Sequence, residues 1–347
     1  MPCAELSIKK AKERKDRQKE KKRLTKLAEK ENKEDRELAN LHRKVALLEN
    51  SLASSRQKQR PPQSTTDRRN KTLILGTRKH KYNRIEAKRA VKEHLLVSLP
   101  AMLRQESYSI IHESEYQGTF GSIAVARLTF VNDLVAIKRI SMNFSDNLDI
   151  MAELRTMHAL AGHPRFPYCF GYVMPNLIVM QLLGRYENGT LTVETVERLK
   201  TADTKNLCHI SCQIVEGISY LHHLGLLHND IKGNNVIIHQ NSVKIIDFGK
   251  VTLITNPEIY DLNESERKSY NIKHRYLAHE LRNTARSPQT ILTDTYSVGY
   301  IIKYLGFEHK CDFLYRIGRK MKSVNLPERM SLSAALSSVK EFSDDKF

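Results

Sequence analysis

Between residues 226 and 249 the chain concentrates side chains that handle protons and phosphate. His228, Asp230, Lys232 and Asn235 lie in the polar run Leu226-Leu-His-Asn-Asp-Ile-Lys-Gly-Asn-Asn-Val-Ile-Ile-His239, and eight residues on Asp247 ends the apolar run of Ile245-Ile-Asp-Phe-Gly249. A carboxylate can orient a hydroxyl, an amide and a second carboxylate are hard oxygen ligands for a divalent cation, and a lysine can neutralise a moving phosphoryl group. These are the parts that phosphoryl transfer requires.

Two upstream features fit the same chemistry. Gly118-Thr-Phe-Gly121 lies between the β-rich runs SYSIIH and SIAVARLTF, and a glycine turn there lets backbone N–H groups approach an anion without an intervening Cβ. Val135-Ala-Ile-Lys138 is an apolar strand ending in a lysine, which needs an anionic partner if it is buried. Glu153 is the candidate carboxylate, on a helical pattern with Met157 and Leu160.

The elements around these residues divide by charge. Residues 1–100 hold 29 Lys and Arg against 13 Asp and Glu, whereas residues 101–347 hold 28 against 26, so most of the net charge of +18 belongs to the N-terminal third. Residues 5–59 lack Gly and Pro and are rich in helix formers. Leu38, Leu41, Val45, Leu48 and Leu52 share one stripe, which reads either as a short coiled coil or as a solvated charged helix. Pro61 and Pro62 end it, and residues 83–105 return to a helical pattern that Pro100 should kink.

The remaining composition excludes several classes. No run approaches the roughly 18 apolar residues of a membrane-spanning helix. The N-terminus lacks the apolar core of a signal peptide. Cys3, Cys169, Cys208, Cys212 and Cys311 have no metal-ligand spacing and read as core filling in a reducing compartment, which predicts an intracellular protein, cytoplasmic or nuclear.

From about residue 108 to 342 the chain resembles a eukaryotic protein kinase. The resemblance rests on Gly118 and Gly121, V-A-I-K ending at Lys138, Glu153, H-N-D-I-K-G-N-N at 228–235, D-F-G at 247–249, A-H-E at 278–280, D-T-Y-S-V-G at 294–299 and Pro327-Glu-Arg329, in that order. It implies an α+β bilobal fold, with a small β-rich lobe (108–182) and a larger helical lobe (183–342). Ahead of these, composition and apolar spacing place a basic helical extension (1–60), a linker (61–82) and a helical extension packing on the domain (83–107).

The implied activity is transfer of the ATP γ-phosphoryl to a protein hydroxyl, with ATP and Mg²⁺ as cofactors and Ser/Thr as acceptor. Asp230 would orient the acceptor, Lys232 would neutralise the phosphoryl, and Asn235 and Asp247 would hold Mg²⁺. Lys138, paired with Glu153, would bind the α/β-phosphates. Gly118 and Gly121 would cover the phosphates, while Ile123, Ala136 and Ile237 would enclose adenine beside Met180 and a hinge at Gln181–Leu183. Met157, Cys169, His228 and Phe248 would stack as an internal spine tied to Asp294, and Glu280 would pair with Arg329.

The sequence also departs from the family pattern. Tyr116 replaces the first loop glycine, Asn229 the arginine before Asp230, Lys273 a threonine and His279 a proline. Fifty-three residues follow Asp294, which implies a short or missing substrate-docking helix. Alternative readings are a kinase-fold scaffold without turnover, or a nucleic-acid or partner-binding protein led by its basic helix. Expected partners are a protein substrate, a helical partner or second copy through residues 24–52, and weak non-specific nucleic-acid contact by the basic N-terminus, with no membrane contact.

Overall fold

The computed structural model describes residues 86–95, 99–118, 121–129, 132–140, 147–200, 202–284 and 286–346, without the side chains of 114–118, 121 and 147–149. The basic extension (1–60), the linker (61–82) and the leucine stripe lie outside the described residues.

Five antiparallel strands form the small lobe: β1 (Tyr108–Gly118), β2 (Gly121–Leu128), β3 (Leu134–Ile140), β4 (Cys169–Val173) and β5 (Leu177–Gln181), in the order β1-β2-β3-β5-β4. Strand alternation sorts β3 onto two faces. Val135 and Ile137 join Ala124, Ala126, Leu128 and Val179 in one apolar cluster. Ala136 and Lys138 face the other way, opposite Met180 and Ile178 of β5. That second face roofs the candidate site.

Residues 86–94 are helical (α1). Among the described residues, the α-helical expectation for 83–105 holds over this stretch alone. Residues 99–103 instead run along the edge of β4, where Tyr172 donates its N–H to the Ala101 carbonyl and accepts one from Leu103. Pro100 accounts for the change, since it has no N–H to donate and pushes the residue before it out of helical geometry. Leu103 then closes one edge of the small-lobe cluster.

Helix α2 (Asn147–Ala159) follows the sheet and carries Glu153. The large lobe is built on α3 (Thr204–His223), whose first turn is capped by the Asp203 side chain accepting from Asn206 N–H. Short strands β6 (Leu226–Leu227), β7 (Val236–His239), β8 (Ser242–Ile245) and β9 (Thr252–Leu253) bracket the two polar runs. The remaining helices are α4 (Glu264–Lys273), α5 (His279–Asn283), α6 (Ile291–Glu308), α7 (Asp312–Met321) and α8 (Leu332–Lys346). One apolar cluster joins α2, α3, α6, α7 and α8 and includes Val91 and Leu95 of the α1 segment.

Helices α6 and α7 approach closely because the contact is lined with glycine. A Cβ on Gly306 would collide with the backbone of Tyr315, and one on Gly318 with the backbone of Lys303. No helix among the described residues is long and apolar enough to cross a membrane.

Candidate active site

Asp230 is placed by backbone that another buried acid holds. The cap of α6 is a reciprocal pair between Thr290 and Thr293, and it sets Asp294 in the first helical turn. From there the Asp294 carboxylate accepts N–H bonds from His228 (2.8 Å) and Asn229 (3.0 Å), and contacts His222 Nε2 at 2.9 Å. Burial keeps the His228 ring neutral by lowering its pKa, against the pull of Asp294 and Asp230. Its Nε2–H therefore donates to the Ile246 carbonyl at 3.2 Å, leaving Nδ1 to accept from Asp230 N–H at 3.3 Å. The two polar runs are thereby clamped together.

The carboxylate of Asp230, 1% exposed, meets four donors. Lys232 Nζ (2.9 Å) and Asn235 Nδ2 (3.3 Å) reach Oδ2, while Lys250 Nζ (2.9 Å) and the Tyr276 hydroxyl (2.7 Å) reach Oδ1. Burial by itself would raise its pKa, but the two ammonium groups, Lys250 ahead of Lys232, hold it well below the usual carboxylate range. Asn235 also ties back to the Asp230 carbonyl at 2.8 Å.

Across the cavity, Lys138 Nζ lies 2.7 Å from Glu153 Oε1 and 3.1 Å from Asp247 Oδ1. Burial works against the ammonium, yet Glu153 and Asp247 outweigh it and raise its pKa above the ordinary lysine value. Asp247 in turn is pushed up by burial and pulled below its ordinary value by Lys138. Its backbone sits in the left-handed region, at φ 69°, where non-glycine residues are uncommon and cluster at functional sites.

A cavity of about 580 Å³ brings these groups together. Lys138, Glu153, Asp230, Lys232, Asn235 and Asp247 line it, as do Ile123, Ala136, Met180, Gln181, Leu183 and Ile237. Gly118 ends β1 and Gly121 begins β2, where they pair with each other. Met157, Cys169 and Phe248 share the main apolar cluster, and the Phe248 and His228 rings are 5.7 Å apart. Arg329 forks onto Glu280 at 2.7 and 2.9 Å.

Sequence reasoning missed four contributors. Lys250, Tyr276 and His274 line the cavity, and His222 faces Asp294. Lys250 follows the D-F-G run directly and was the one legible clue. Asn229 has a role of its own: its amide donates to the Lys250 carbonyl (2.9 Å) and Thr252 Oγ1 (2.8 Å), joining the Asp230 loop to the segment after Asp247.

Residues 116–336 match the family model of the protein kinase domain, well over half of the chain, and the protein belongs to the protein kinase family. Similar proteins include CTD kinase subunit alpha of Schizosaccharomyces pombe, 31% identical over 137 residues (38% of this chain, 23% of that protein). Serine/threonine-protein kinase dst4 of Dictyostelium discoideum is 30% identical over 145 residues (40% and 29%). Cyclin-dependent kinase F-3 of Oryza sativa subsp. japonica is 28% identical over 159 residues (45% and 36%). The matched segments thus span well under half of each relative.

Proposed function

We propose that the chain transfers the γ-phosphoryl of ATP to a protein hydroxyl, with serine or threonine as acceptor. The observation that carries this reading is Lys138 bridging Glu153 and Asp247 over a cavity that also holds Asp230. Ala136, Ile123 and Ile237 give that cavity an apolar end suited to a purine, with Met180 behind and Gln181 and Leu183 at the rim. Gly118 and Gly121 would close over the phosphates. Asp247 and Asn235 offer oxygen atoms only, a donor set that suits Mg²⁺ and not a softer metal. Bound there, Mg²⁺ would neutralise charge on the phosphates.

The chain's own residues do the positioning. Lys138 holds the α/β-phosphates, its place fixed by Glu153. Lys232 supplies positive charge beside the transferred group, and Asp230 orients the acceptor and takes up its proton. The lysine two residues after Asp230 supports a Ser/Thr acceptor, as do the printed names of several relatives. In this reading residues 108–342 are the catalytic domain, 83–107 its brace, and 1–60 a basic helix whose residues 24–52 would take a helical partner or a second copy and whose basic N-terminus would make weak non-specific nucleic-acid contact.

The test is γ-phosphoryl transfer from Mg·ATP to generic protein substrates and to the chain itself, with Asp230→Ala as control. Transfer that needs Asp230 and yields phosphoserine or phosphothreonine is expected. Saturable nucleotide binding without transfer would favour a scaffold, a reading that the crowding of Asp230 by Lys250 and Tyr276 supports.

A further inference from the structure

A carboxylate offers about four acceptor positions, two on each oxygen. On Asp230 all four are taken. A substrate hydroxyl that is to donate to Asp230 must therefore replace a donor already present.

The two oxygens differ in who occupies them. Lys232 and Asn235, on Oδ2, belong to the same loop as Asp230, and Asn235 is further fixed by its bond to the Asp230 carbonyl. Lys250 and Tyr276, on Oδ1, come from the segment that follows Asp247. Of these two, Lys250 is an ion pair, and its backbone carbonyl is held by Asn229. Tyr276 contributes a neutral hydroxyl, and replacing it with another hydroxyl exchanges one bond for a bond of the same kind. Displacing Lys250 would take from the buried carboxylate one of its two compensating charges.

The setting of Tyr276 fits such an exchange. Its carbonyl accepts from Ser297 Oγ of α6 at 2.8 Å, so the backbone is anchored while the side chain reaches into the cavity. Its ring lies 6.0 Å from Lys232 Nζ, on the side where a phosphoryl group would be neutralised. Burial, then the neighbouring Asp230 charge, keep the phenol protonated and donating.

We propose that Tyr276 holds the acceptor position on Asp230 Oδ1, and that a protein substrate engages the site by exchanging its own hydroxyl for the phenol. This rests on the kinase reading above and adds what the acceptor must displace. It also makes Tyr276 a filter, because a side chain that cannot donate a hydrogen bond gains nothing by pushing the phenol aside.

The experiment compares full-length wild type with Tyr276→Phe, which keeps the ring and removes the hydroxyl. Dephosphorylated casein serves as acceptor, and its binding is measured with a non-hydrolysable ATP analogue and Mg²⁺, then its KM with Mg·ATP. The variant should bind casein about two- to tenfold more tightly, the scale of one net hydrogen bond, with a KM lowered to match and the KM for ATP unchanged. Equal or weaker casein binding would overturn the proposal. So would phosphate recovered on Tyr276 of the wild type, since the phenol would then be an acceptor and not a stand-in for one. Should neither protein transfer phosphate, the kinase reading fails, while the binding comparison still decides the exchange. If Tyr276→Phe melts lower than wild type, Tyr276→Leu repeats the comparison, and unchanged casein binding there also overturns it.

Discussion

Asp230 is ionised at the cost of burial because Lys232 and Lys250 surround it, and Lys138 does the same for Asp247. The sign of the acid response follows. Both folded pKa values lie below the unfolded value of about 3.9, so their contribution to stability is complete above that value and is lost as the pH falls towards the folded values. Thermal melts of wild type and Asp230→Asn should differ by a steady amount above about pH 4 and converge progressively as the pH falls from there towards the folded pKa of Asp230, where the native carboxylate at last takes up its proton. A gap that stays constant down to low pH would show that the lysines do not hold Asp230 ionised. At this scale the sequence was informative wherever a residue's chemistry is unusual for its position, as with Lys138 in an apolar strand. It was silent on Tyr276, because nothing in the run Lys273-His-Arg-Tyr-Leu-Ala278 shows that the hydroxyl will meet a carboxylate from a loop 46 residues upstream. The four described cysteines are buried, as core filling requires, and burial pushes Cys169 and Cys208 up to about 12 and Cys212 to about 11.

Among the elements, the segment at 86–103 does more than its sequence pattern implied. Lys88, 2% exposed, donates from α1 to the Val251 carbonyl at 3.2 Å, four residues beyond Asp247. Arg155 of α2, the helix that bears Glu153, donates to the Leu95 carbonyl at 2.8 Å. Residues 101 and 103 then join the edge of β4. One segment thus touches the chain after Asp247, the Glu153 helix and the sheet that carries Lys138. Lys88→Met should destabilise the protein by about 1–3 kcal/mol in chemical denaturation, since it leaves a buried carbonyl without that donor. A midpoint equal to that of wild type would contradict the bracing role. Apolar periodicity revealed α1 but not the path beyond it, because pairing at a strand edge is made through backbone groups that every residue type shares.

Across the molecule, two lobes and one cavity were legible from the order of the motifs. The register that turns Ala136 and Lys138 towards the same cavity follows from strand alternation. The large lobe's compactness was less legible, since it depends on Gly306 and Gly318 meeting backbone across α6 and α7. Arg329, its side chain fully buried, fastens α5 to the chain ahead of α8 through Glu280 and also donates to the Leu292 carbonyl of α6 at 2.9 Å. These contacts keep the floor of the site fixed, and Asp294 transmits that rigidity to Asp230.

The proposed joint action of Lys138 and Asp247 on the phosphates of a nucleotide is tested most directly by transfer from Mg·ATP in Lys138→Met and Asp247→Asn. Both variants should lose transfer by orders of magnitude while far-UV circular dichroism and cooperative unfolding persist. Wild-type turnover in both folded variants would contradict the assignment of the site.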